Sequence, residues 1–102
     1  MGYDLKGYSV IDIIRQNVGS PATNFAFSKF GNTGSLCESL MINNLGSNNI
    51  FVAVSGTPGV GSTMILIPAG GMRSMDIRLG SVQILTSGGN VNTETEVVGF
   101  GI

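Results

Sequence analysis

The chain has 102 residues, a formal net charge of −1 and only 11% charged side chains, against about 25% in an average globular domain. That length suits one domain with a single core. A near-zero charge with no Lys/Arg cluster argues against a nucleic-acid binder that works by releasing counterions, and low charge combined with many β-branched residues argues against intrinsic disorder.

Residues 1–8 come first. Gly2 and Gly7 flank Tyr3, Leu5 and the approach to Tyr8, and the stretch reads as an N-terminal arm ordered by a neighbour. It lacks the charged-then-apolar profile of a signal peptide. The longest apolar runs, Ile50–Val54 and Met64–Ala69, fall far short of the ~20 residues of a membrane span. A single cysteine allows no internal disulfide. The expectation is a protein made in a cytosol, with no address and no membrane partner.

Ser9–Asn17 has Val or Ile at four of the eight positions after Ser9, which leans to a strand. A short helix capped by Ser9, with Asp12 as a weak capping box, is the alternative. Asn24–Phe30 alternates, with Phe25, Phe27 and Lys29 on one face and Ala26, Ser28 and Phe30 on the other. Gly31–Ser35 has no apolar residue and reads as a loop. Ser39–Asn44 and Ile50–Val54 are strands, joined through Leu45–Asn49 as by a hairpin-type loop. Thr63–Ile67 is a short β-branched strand. Arg73–Leu79 alternates Met75, Ile77 and Leu79 with Ser74, Asp76 and Arg78, the period of a half-buried strand. Val82–Leu85 and Thr93–Phe100 close the series, with Val97 sharing a face with Thr93, Thr95 and Gly99. Turn signals recur every 8–12 residues or so, the signature of an all-β sandwich or barrel. Residues 1–102 therefore read as a single compact antiparallel β-sandwich, jelly-roll-like, with residues 1–8 as an extended arm.

Chemistry is sparse. There is no histidine, so Cys37 has no imidazole base to lower its pKa and reads as a small core residue. Gly56–Thr63 nearly spells a phosphate-binding loop, but Ser62 stands where the lysine belongs and an apolar strand follows where a helix should begin. Glu94 and Glu96 share a strand face; a cation site would need a third ligand from Asp4, Asp12, Glu38 or Asp76, and a solvated face meeting Arg73 or Arg78 is the simpler account. The chain is read as no enzyme and as needing no cofactor or metal.

Eleven Ser, seven Thr and nine Asn supply most of the polar surface. Such a surface buries against other protein at lower cost than a charged one. Five of the seven aromatics lie in the first 30 residues. Tyr3, Leu5 and Tyr8, with Phe25, Phe27 and Phe30, are the candidate interface residues, since aromatics are enriched at interface centres. For the three Phe the alternative is that they fill one end of the sandwich.

Three stretches carry a resemblance. They are Ile42–Val52, with its Asn/Ser turn; Ile65–Ile77, with Pro68-Ala-Gly-Gly71; and Val82–Gly89 followed by Thr95–Phe100. Together they resemble small β-sandwich virion proteins of tailed bacteriophages. The likeness covers about 60 residues, roughly Leu40 to Phe100. It implies a decoration or cement protein on the capsid: a homo-oligomer in the virion that binds the major capsid protein or other virion proteins. A neck, tail or baseplate component is the alternative, and a carbohydrate-binding module a more distant one.

Overall fold

The computed structural model describes residues 10–19, 22–27, 37–55, 63–78, 80–86 and 93–101. These hold eight strands and no helix: β1 (Val10–Val18), β2 (Thr23–Ala26), β3 (Ser39–Asn44), β4 (Ile50–Ser55), β5 (Thr63–Ile67), β6 (Met72–Met75), β7 (Ser81–Thr86) and β8 (Thr93–Gly101). The segment 10–18 is thus a strand. Its β-branched residues meet a partner along their whole length in β8, which outweighs the weak capping signal at its start.

Two four-stranded antiparallel sheets form, in the orders β1-β8-β3-β6 and β2-β7-β4-β5. Four of the pairings are nested: β4 with β5, β3 with β6, β2 with β7 and β1 with β8. The chain is one long hairpin ribbon, centred between β4 and β5 and folded across itself. Two further ladders, β3 with β8 and β4 with β7, close the sheets. This strand order is that of a jelly roll, the eight-stranded double-sheet architecture.

Two expectations change. Leu45–Asn49 is no hairpin loop, because β3 and β4 belong to different sheets and never pair. It is a corner from one sheet to the other. The alternating run after residue 72 pairs only as far as Met75, opposite Leu40. Residues 76–78 continue outside the ladder, although Ile77 still packs on the core.

The core lies between the inward faces. Leu40, Ile42 and Val97 come from the first sheet, and Phe25, Ile50, Val52, Ile67, Val82 and Ile84 from the second. Each such side chain contributes about 1.5–3 kcal/mol by leaving water. Cys37 is buried with them, and its thiol donates to the Ile77 carbonyl at 3.6 Å. Phe27 packs its ring over the bare backbone of Gly99: a Cβ there would stand 2.8 Å from Phe27 Cε1.

The corners are tied by one side chain. Asn44, buried at the end of β3, donates through Nδ2 to the carbonyls of Asn48 at 2.7 Å and Ile67 at 3.1 Å, while its Oδ1 accepts from the Gly46 amide. At the corner after β5, the Gly71 amide donates to the Pro68 carbonyl and Gly70 adopts a φ of 76°. That positive φ at the third position is what a type II turn requires.

Candidate protein interface

Of the residues singled out in the sequence, Phe25 and Phe27 lie inside the sandwich. They fill the core, the second of the two roles the sequence left open to them. Tyr3, Leu5, Tyr8 and Phe30 lie outside the described residues, as does the whole of the glycine-rich stretch 56–62. The segment that follows it is β5, a strand, so no helix N-terminus stands there to hold a phosphate.

Glu94 and Glu96 do share the outward face of β8, but their basic partner is Arg15 on β1. The register sets Arg15 opposite Glu96, and its guanidinium reaches Glu96 Oε2 at 2.9 Å and Glu94 at 4.0 Å. Asn43, opposite Glu96 on β3, donates to its other oxygen at 3.0 Å. Arg78 instead faces Glu38 at 3.4 Å, and Arg73 sits opposite Ile42 on the edge strand β6. The hydrogen bond from Arg15, followed by that from Asn43, holds the Glu96 carboxyl below its ordinary range against a smaller opposing effect of burial. Asp12 lies on the opposite, inward face, level with Gly99. Among the described residues no three of Cys, Asp and Glu gather to hold a metal ion.

Beyond this polar end, the outward face of the first sheet turns apolar. The register places Ile11 beside Phe100, and Ile13 beside Val98, which in turn meets Met41. Ile13 is 61% exposed, while Val98 is shielded by its neighbours.

The second sheet differs in kind. Its four strands, Thr23–Ala26, Ile50–Ser55, Thr63–Ile67 and Ser81–Thr86, contain no charged residue. Two of them, β4 and β5, lie in an uncharged run that extends from Ser39 to Met72. Cross-strand pairs on the outward face are Phe51 with Leu85, Phe51 with Leu66, Ala53 with Met64, and Ala53 with Gln83. Leu66 is 47% exposed and Met64 39%. A continuous apolar strip therefore crosses β7, β4 and β5, bounded among the described residues by the uncharged Gln83, Ser81 and Asn24. Contiguous exposed apolar surface is the material from which interaction sites are built.

This strip was not foreseen as a site. The uncharged run is visible in the sequence, but which alternate residues face outward together depends on pairing between strands far apart in the chain. No protein-family model matches the chain, and no curated protein matches its sequence.

Proposed function

We propose that this protein is a non-catalytic structural component of a large assembly: a capsid decoration protein of a tailed phage that binds the assembled shell and stabilises it. The observation that supports this reading is the second sheet, free of charge throughout, with Phe51, Leu66 and Leu85 adjoining on its outward face. Uncharged side chains can leave water against another protein without stranding an ion. Many copies bound to assembled subunits, each with this face covered, stabilise the shell by mass action. Jelly rolls recur in viral capsid and lectin domains, which agrees with the virion resemblance by analogy of fold alone.

The test is co-sedimentation of the purified protein with empty phage shells, beside a Gln83→Glu variant. Gln83 lies on this face, between Asn24 and Ala53. The wild type is expected to load at hundreds of copies per shell. The variant, with one ion placed in the face, should load about tenfold less while keeping its circular dichroism and melting temperature. Loading of a handful of copies moves the protein to a neck or tail, and a wild type that ignores shells removes the virion reading.

A further inference from the structure

We infer that β5 is the self-association edge of this protein: it pairs antiparallel with β5 of a second copy about a two-fold axis at Ile65, joining the second sheets of two molecules into one.

Edge strands present unpaired amides and carbonyls, and proteins guard them with charges, proline or brevity. Three of the four edges here carry such a guard. β1 bears Asp12 and Arg15; β6 has four residues and holds Arg73 at a position facing Ile42; β2 also has four residues. β5 bears no such guard within its own span. Its residues, Thr63-Met-Ile-Leu-Ile67, include neither charge nor proline; Pro68 follows only after the last paired residue, and no charged residue adjoins the strand in the chain.

The choice of a second copy rests on symmetry and charge. In a two-fold contact the same patch meets itself, so any ion near the axis faces its own like. Of the four edges, β5 is the longest that meets this condition. Continuity of the sheet then limits the register, because directly opposed residues must lie on the same face. Centring on Ile65 pairs the whole strand and sets Met64 opposite Leu66 of the second copy, and Leu66 opposite its Met64. These are the two exposed apolar side chains of the strand. On the inward side Ile65, already packed on the core, meets its own copy. The central pairs of the new ladder, at the axis and beside it, are then apolar. The strip is small beside the ~800 Å² per partner of a standard interface, so the dimer is weak in dilute solution and gains strength when many copies are held close on a shared surface.

The register supplies the test. Met64→Cys and Leu66→Cys each replace an exposed side chain, and the native Cys37 is buried. Under mild oxidation of the full-length protein at high concentration, the mixture of the two variants should form disulfide-linked dimer about tenfold faster than either alone, because only the mixed pair brings the new cysteines directly opposite. In parallel, sedimentation equilibrium should show a concentration-dependent dimer for the wild type that a Leu66→Lys variant loses. Equal cross-linking by the single variants, or a wild type that stays monomeric up to about 1 mM, where even a weak −4 kcal/mol association would register, overturns the inference. The outcome is separable from the shell reading: a dimer that ignores shells leaves this inference standing, and a shell-binding monomer removes it.

Discussion

Asn44 illustrates how much one polar side chain carries in a protein with few charges. It is 1% exposed, and its amide serves the Asn48 and Ile67 carbonyls and the Gly46 amide together. Replacing it with leucine would leave the buried Ile67 carbonyl without this partner, at about 1–3 kcal/mol, and would strip a bond from the half-buried Asn48 carbonyl and Gly46 amide as well. Asn44→Leu is therefore expected to lower the urea midpoint sharply, more than Asn43→Leu on the outward face of the same strand. Gly99 makes the complementary case in packing. Gly99→Ala drives a methyl into the Phe27 ring and should cost about 1–3 kcal/mol. Combining it with Phe27→Leu should cost less than the sum of the two single changes, as a double-mutant cycle would measure. The sequence places both on strands, Asn44 at the end of Ser39–Asn44 and Gly99 on the face of Val97, but it does not show what either one touches. Each takes its meaning from a partner on another strand.

The strands themselves were legible, because each has alternation or β-branching of its own. Val97, Thr95 and Thr93 do face inward together, as period two requires. What the residues did not disclose was which strands pair. Leu45–Asn49 has the composition of a hairpin loop, yet it turns between sheets because β3 finds β8 and β6, while β4 finds β5 and β7. The same blindness hid the partner of Glu96. Arg15 is 81 residues away in the chain and becomes its neighbour only through the β1–β8 ladder. This cluster predicts an acid dependence with a definite sign. The folded state holds the Glu96 carboxyl below its ordinary range, so its contribution is complete above the pKa of the unfolded chain and is lost as pH falls through the folded value. The wild type should exceed Glu96→Gln in stability at neutral pH, and the gap should close in acid. Denaturant titrations of both proteins at pH 7 and pH 3 would measure it; a gap that widens in acid would contradict the assignment.

For the molecule as a whole, the nested ribbon sets the folding problem. β1 must find β8 across nearly the entire chain, and β2 must find β7 across more than half of it. Such pairings charge their loop-closure entropy before returning any contact, so refolding is expected in the millisecond-to-second range and not in microseconds. Stopped-flow dilution from urea would check this. The two sheets also differ in their relation to water. The first carries all the ions found on the described strands, and the second carries none. The domain is therefore polarised in charge through its thickness, with the strand ions on one side and none on the other.

The β1–β8 ladder has one more consequence. Val10 lies opposite Gly101, so the chain enters the sandwich and leaves it at the same point. A fold with its entrance and exit together can be spliced into a surface loop of another protein without prising that loop apart. A host chain joined at Val10 and Gly101 would meet the sandwich on that one rim.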